Sequence, residues 1–487
     1  MSAEADQGRV AGTILPGPGE AAYPGRLEWR DGRITALVRD SESAPAGPVI
    51  APGLIDSHTH PVELGLEGIF PDLSPAGDIA GVLDRLGAGL DRGREAGVLL
   101  GLNIDPDRLS ERRLPTRAEL DALAADLPAV AYRVDRHSAA LNAAALRLAG
   151  LDPAGAGVVA GPEYERAARV FARILPAATV AAALEHAAAL AARAGTTTVG
   201  ALDGTEDFTA EDWESLVAAM GRLPVRFVPF LQTLDPGHAA RLGLPRVGGC
   251  ILVDGSLGSH TAALEEDYAD RPGARGVLYR DEAGLARFLA EADRLGLQTA
   301  LHAIGDRAVG TALRAHARAG TRPELRHRIE HAELLSAGLI AGIARAGIVL
   351  GVQPAFEAAW GGPDRLYARR LGPRWRKTNP FRSLLAAGVR LAGGSDAPIT
   401  PIDPLAGIRA ALEHPNPDER VGPDDALAMF TTAAAHSLGL EGETGRLAPG
   451  LAADLVVLSA DPRAPACRVF ETWCRGRRVF AAGAGSR

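Results

Sequence analysis

Val49-Ile50-Ala51-Pro52-Gly53-Leu54-Ile55-Asp56-Ser57-His58-Thr59-His60 decides the reading of this chain. An apolar run of buried-strand character ends in two histidines at i and i+2. On a strand such residues project to one face. Where the strand stops at the mouth of a barrel, both imidazoles enter one cavity, preset as two ligands of one metal ion.

Working outward, short apolar runs alternate with alanine- and leucine-rich helical patterns. The runs that read as barrel strands are Gly53–Asp56, Thr196–Leu202, Val225–Leu231, Cys250–Val253, Gln298–Leu301, Arg328–Glu330, Ile348–Val352 and Arg390–Gly394. Strand, helix, strand repeated in this way means parallel pairing with helices outside. The fold expected is α/β, a (β/α)8 TIM barrel over residues 51–439. The stretch from 61 to 193 is far longer than one crossover needs, so it is expected to be an insertion that caps the active site, with strands at Gly97–Asn103 and Ala129–Val134. The two ends share a texture of short alternating strands, with an Asp31-Gly32 turn near the start and Ala453–Leu458 and Arg475–Phe480 near the end. A small β-sandwich domain assembled from both termini, residues 1–50 and 440–487, follows as the expectation.

Composition narrows the class. With 487 residues, 47% of them hydrophobic, the chain can bury a large core. A net charge of −8 and no basic run argue against nucleic acid as a partner. The most apolar long stretch, Ala177 to Ala194, carries Glu185, His186 and Arg193, which argues for a soluble helix and no membrane partner. Three cysteines (Cys250, Cys467, Cys474) are too few for a disulfide framework, and the first fifteen residues lack a secretory pattern. A reducing, cytoplasmic setting and a small-molecule substrate are therefore expected; a homo-oligomer is left open.

Chemistry-bearing residues recur at one place relative to the strands. His58 and His60 follow the first, His302 the fifth, His331 the sixth and Asp396 the eighth. A lone histidine at a strand end is more often a surface residue than a ligand. The repetition at the C-terminal ends of four strands, where such barrels place their chemistry, points instead to a metal site. Histidine and carboxylate donors suit zinc, iron, manganese or nickel, with one or two divalent ions and zinc the first choice.

With these motifs in hand, the chain resembles the amidohydrolase superfamily, and more closely its amidohydrolase-3 branch, which includes N-substituted formamide deformylases. The resemblance rests on Gly53–His60, on Asp254-Gly255-Ser256-Leu257-Gly258-Ser259, on His302-Ala303-Ile304-Gly305-Asp306, on Arg328–Ala332, on Gly394-Ser395-Asp396-Ala397-Pro398, and on Arg133–Ser138 with Asn142. It covers nearly the whole chain. It implies that His58, His60 and Asp396 hold the more buried metal. It implies that His302 and His331 hold a second ion or position substrate. Asp396 would take a proton from the attacking water and pass it to the leaving group, while the metal or a nearby histidine such as His331 polarises the carbonyl.

One departure stands out. Many two-metal members bridge their ions with a carboxylated lysine from the fourth strand, and the resemblance places it four residues before the Asp-Gly-Ser-Leu-Gly motif. Here that residue is Cys250, and Lys377, the only lysine among 52 basic residues, lies in a polar segment after the seventh strand. Cys250 is then a thiolate ligand, or a small buried residue beside a single metal, or the mark of a crippled site.

Further candidates for substrate binding are Arg133, His137, Asp254, His260 and Trp360. Arg133, Asp135 and His137 form either a polar wall over the metal or a structural ion pair with a helix cap. Asp254 and His260 flank a glycine-rich turn, and the resemblance implies an arginine where His260 stands. Phe356 and Trp360 form an apolar wall or simply pack. Asp306 is expected to be structural. Three functions compete. The first is a metal-dependent hydrolase of a C–N bond in a small non-peptide amide, formamide or carbamate. The second is a metal-dependent deaminase of a heterocyclic amine; such relatives need no bridging lysine but use a glutamate where this chain has Gly305. The third is a catalytically silent homologue.

Overall fold

The computed structural model describes residues 7–40, 47–204 and 208–483; those parts of the expected terminal domain at 1–6, 41–46 and 484–487 lie outside the described residues. The chain opens with β1 (Gln7–Ile14), β2 (Tyr23–Arg30), β3 (Arg33–Arg39) and β4 (Val49–Pro52). β2 and β3 turn over Asp31 and Gly32, both at positive φ, as an Asp-Gly hairpin requires. The apolar run quoted above then divides at Gly53. Val49–Pro52 stays with the terminal sheet, and β5 (Leu54–Thr59) enters the barrel with every residue buried. Continuous burial explains the continuous apolar pattern: a parallel barrel strand has no solvent face.

An added unit follows: β6 (Leu99–Ile104), β7 (Ala129–Arg133), β8 (Ser138–Leu141) and β9 (Val158–Ala160) form a four-stranded sheet in that order. Each face carries its own apolar cluster, one around Leu100, Val130 and Phe171, the other around Leu99, Ile104 and Leu120. The helices Pro61–Leu66 and Ala177–Arg193 bracket this unit and pack against each other.

The remaining barrel strands are β10 (Thr196–Asp203), β11 (Arg226–Leu231), β12 (Arg246–Leu252), β13 (Gln298–Ala303), β14 (Arg328–His331), β15 (Val349–Val352) and β16 (Leu391–Gly393). Together with β5 they make an eight-stranded parallel sheet with helices between the strands, a (β/α)8 barrel. The eight expected strands correspond one to one, with shifted ends. The largest shift is in β12, which starts at Arg246 because Arg246 and Val247 pair with Gln298 and Thr299 before the register breaks.

The chain ends in β17 (Leu455–Leu458), β18 (Val469–Cys474) and β19 (Arg477–Ala481), which pair with the opening strands through β17 and β4. The result is one seven-stranded sheet built from both termini. One apolar cluster joins its two halves around Ile14, Leu27, Ile34 and Leu455, and Trp29 of β2 lies edge-on to Trp473 of β18 at 5.0 Å. Among the described residues no single helix is long and apolar enough to cross a membrane.

Barrel closure happens where β5 meets the chain just beyond β16. Asp396 N donates to His58 O and His60 N to Ala397 O, each at 2.8 Å, and Thr59 bridges Ala397 in parallel. Asp56, fully buried, accepts from the backbone N–H of Ser395 at 3.0 Å and of His58 at 3.2 Å. The strands approach so closely that a Cβ on Gly394 would stand 2.7 Å from both the Cβ and the amide nitrogen of His58. Gly394→Ala should therefore overpack this seam and lower stability by about 1–3 kcal/mol in chemical denaturation. Gly442→Ala, where a Cβ meets nothing within 4 Å, is the control expected to be nearly neutral; equal effects would contradict the tight seam.

Candidate metal centre

The seam puts three polar side chains at one point. Asp396 Oδ1 lies 3.1 Å from His58 Nε2 and 3.1 Å from His60 Nε2. Asp396 (φ 56°), His331 (φ 70°) and Ala332 (φ 48°) hold left-handed backbone conformations, which non-glycine residues seldom take and which concentrate at functional sites.

Each histidine here is fixed by its far ring nitrogen. His58 Nδ1–H donates to Glu330 Oε2 at 2.7 Å, and Glu330 in turn accepts a fork from Arg328 at 2.7 and 2.8 Å. His60 Nδ1–H donates to Leu202 O at 2.6 Å. His331 Nδ1–H donates to Gln353 Oε1 at 2.8 Å. These partners select one tautomer in each ring and leave the Nε2 lone pair facing the centre, as in histidines that bind metals. His302 differs, with Nδ1 3.5 Å from Cys250 Sγ and Nε2 3.3 Å from Gly255 O.

Cys250 reaches the centre through a distortion of its strand. Gly248 pairs with Ala300 and Ile251 with Leu301, so Gly249 and Cys250 bulge out of the ladder. Gly248 (φ 98°) and Gly249 (φ 93°) hold conformations closed to other residues, and a Cβ on Gly248 would lie 2.5 Å from Ala300 O.

The donors converge in overlapping sets. Those of His58, His60 and Cys250 lie within 4.8 Å of one another, as do those of Cys250, His302 and His331, and those of His58, His331 and Asp396. His58 Nε2, His331 Nε2 and Asp396 Oδ1 are buried without a hydrogen-bond partner. Bases aimed at a common point and engaged with nothing else fit a divalent ion, and the mixed N, O and S set suits zinc. Electrostatics agree. Burial pushes the Asp396 carboxyl up, but once His58 carries a second proton its charge, with the 3.1 Å approaches of His58 and His60, outweighs burial and holds the group well below the usual carboxylate range, a role that a bound cation would take over. Burial likewise opposes the Cys250 thiolate, yet His302, His331 and His58 hold the thiol well below its ordinary value.

The cavity at this centre has two lobes that share His302, His331 and Asp396: a chamber of about 760 Å3 that also contains His60 and Cys250, and a smaller lobe of about 90 Å3. Of the other expected residues, Arg133 lines the small lobe, paired to Asp135 at 2.5 Å, while the hydroxyls of Ser256 and Ser259 donate to the same carboxylate at 2.7 Å each. His137 lines both lobes, its ring 5.3 Å from that of His302; burial first, then the His302 charge, pulls it down to about 4, so it is neutral near pH 7. Trp360 lines the small lobe, edge-on to Phe356, whose ring stacks on His331.

Two expected residues stand elsewhere. Asp254 is fully buried away from the cavity wall and accepts from the backbone N–H of Ala263, Ile304 and Gly305 at 2.7–2.9 Å, tying the loop after β12 to the loop that follows His302. His260 pairs with Asp270 at 3.0 Å, meets Tyr268 edge-on and does not line either lobe. Asn142 caps the helix Ala143–Leu148, and Asp306 Oδ1 accepts from Glu265 N. Sequence reasoning did not assign roles to Glu330, Arg328, Gln353 or Glu333. Arg328 and Glu330 had a signal in their i, i+2 spacing beside His331, which puts both on one strand face. Gln353 had none.

Residues 46–480 match the model of the Amidohydrolase family. The chain belongs to the amidohydrolase family. It is 32% identical over 457 residues to the protein YtcJ of Bacillus subtilis (strain 168), covering 85% of each chain. It is 26% identical over 471 residues to the N-substituted formamide deformylase of Arthrobacter pascens, covering 86% of this chain and 84% of that one. The crystal structure of an uncharacterized metal-dependent hydrolase from Pyrococcus horikoshii OT3 superposes with a TM-score of 0.77 at 27% identity, covering 94% and 98% of the two chains. This amidohydrolase is thus a metal-dependent hydrolase, and the donors that converge at the seam are its candidate ligands.

Two outcomes follow. Glu330→Gln removes the charge behind His58 and should weaken metal affinity about 10–100-fold in chelator competition; unchanged affinity would detach Glu330 from the site. Asp135 is held at about 2 in the folded chain against 3.8 for the free group, with burial opposing and the Arg133 charge prevailing. The folded state therefore binds this proton less readily, and the stability gained is complete above about pH 4 and lost as the pH falls toward 2. Asp135→Asn should lower the urea midpoint at neutral pH, with a gap to the parent that narrows on acidification; a gap independent of pH would contradict this.

Proposed function

We propose that this amidohydrolase hydrolyses a C–N bond in a small non-peptide substrate of the amide, formamide or carbamate type. The observation that carries the reading is the meeting of His58, His60 and Asp396 at the barrel seam, each histidine anchored by its Nδ1 and turned inward. The likeness to an N-substituted formamide deformylase along 86% of this chain supports the choice of bond.

In this reading His58, His60 and Asp396 hold the more buried ion, zinc by preference, and His302 and His331 hold a second or position the carbonyl. A divalent ion bound there supplies Lewis acidity, lowering the pKa of a water from 15.7 to about 7 and drawing charge from the carbonyl oxygen. Asp396, kept ionised by its histidine neighbours, is the base that accepts the proton of the attacking water. Water oxygen adds to the carbonyl carbon, the C–N bond breaks, and Asp396 returns the proton to the departing nitrogen. His331, braced by Gln353 and stacked on Phe356, turns its Nε2 lone pair to the centre and is set to hold an ion that would polarise the carbonyl oxygen. Cys250, shared between two donor sets, serves as a thiolate ligand in the place where related sites use a lysine. Arg133 and His137 shape the substrate wall.

Gly305 speaks against the deaminase: a Cβ there would lie 2.0 Å from Ala263 O, so no acid side chain fits. Metal-stripped protein should lose hydrolysis of formamides or carbamates and regain it with zinc, and Asp396→Asn should lower kcat by about 100-fold or more. Ammonia release from aminopyrimidines without amide hydrolysis would overturn the bond assignment. The cobalt-loaded parent should show thiolate-to-cobalt charge-transfer absorption that Cys250→Ser abolishes; identical spectra would make Cys250 a bystander.

A further inference from the structure

The small lobe holds a group that the hydrolytic centre does not use. Glu333 follows His331 by two residues, is 3% exposed and lines this lobe. Its Oε2 and the neighbouring Tyr367 hydroxyl are buried with no well-aligned hydrogen-bond partner beyond each other, and burial pushes the Glu333 carboxyl up to about 8. Among the described residues no lysine, arginine or histidine forms an ion pair with Glu333. An unpaired buried carboxyl is costly, and folded chains seldom keep one without a use.

The walls around it narrow the use. Phe356, Trp360 and Tyr367 are consecutive in an aromatic chain, with ring centroids 4.8 and 6.5 Å apart, and all three line the lobe with Glu333. With Asp396 set aside, Asp105, Asp107 and Asp135 stand in the lobe against Arg133 and Arg369, and Glu333, held near 8 by burial, becomes a further negative charge when a cation sits beside it. Arg133 already faces Asp135 and Asp107. Aromatic rings attract cations through their faces, and a carboxylate among them supplies the opposite charge. The volume of about 90 Å3 admits only a compact group.

We propose that this lobe is a subsite for a compact organic ammonium group, paired with Glu333 and enclosed by Phe356, Trp360 and Tyr367. Binding of the group stands on this geometry alone. Its assignment to the substrate rests on the hydrolytic reading: the scissile C–N bond lies at the histidines while the ammonium substituent occupies the lobe. The substrates favoured are then amides, formamides or carbamates with a positively charged substituent a few bonds from the carbonyl.

Choline and its uncharged isostere 3,3-dimethyl-1-butanol separate charge from shape. Calorimetric titration of the metal-loaded enzyme should give choline an affinity about tenfold higher than the isostere. Glu333→Gln should abolish that preference with metal content unchanged, and Trp360→Leu, at a half-buried position, should weaken choline while leaving the isostere nearly unaffected. Equal binding of the two probes to the parent, or a preference that survives in Glu333→Gln, overturns the subsite. Failure of the subsite with metal-dependent hydrolysis intact leaves the proposed function standing. Choline preference in a chain that hydrolyses no C–N bond does the reverse.

Discussion

Asp56 clasps the first barrel strand to the last. Its carboxylate accepts the amides of both His58 and Ser395, and the two backbones exchange hydrogen bonds at His58–Asp396 and His60–Ala397. That closure turns an open parallel sheet into a barrel. It also determines where the chemistry sits, because the residues flanking the seam are the two histidines of β5 and Asp396. A residue larger than glycine at 394 would separate them. Fold closure and metal site are therefore one structural event, and the left-handed backbone of Asp396 is held in place by the same contacts.

Much of this was legible because parallel barrels write strongly into sequence. Strands buried on both faces read as unbroken apolar runs, and the chemistry follows them at fixed places. His58, His60, His302, His331 and Asp396 were found that way, and all five line or border one cavity. What stayed hidden has physical reasons. The division of the opening run at Gly53 between two sheets is a tertiary choice, since both halves are equally apolar. The earlier start of β12 and its bulge at Gly249 and Cys250 both come from pairing with β13, which an apolar run does not record. His260 was expected near the substrate because it flanks the glycine-rich turn where the resemblance implies an arginine, but its ring pairs with Asp270. Asp254 was expected to face substrate, and its three backbone partners show that a buried carboxylate can instead organise loops.

Under the proposed function, the inserted sheet is what would give this barrel its own selectivity. Two apolar clusters make the insertion a solid unit, and the segment beyond β7 hands Arg133, Asp135 and His137 to the cavity. In that reading the barrel would supply the bond-breaking groups, while the insertion and the loops after β14 and β15 line the cavity. In that division Cys250 belongs to the barrel and Glu333 to the walls.

The central claim is that the seam holds the metal of this hydrolase. Anomalous diffraction from crystals of the zinc-loaded protein, collected on both sides of the zinc edge, tests it most directly. The account predicts an anomalous peak about 2.0–2.2 Å from a ring nitrogen of His58, a ring nitrogen of His60 and a carboxylate oxygen of Asp396. A fully loaded crystal with no peak there, or with its zinc bound only elsewhere, would contradict it.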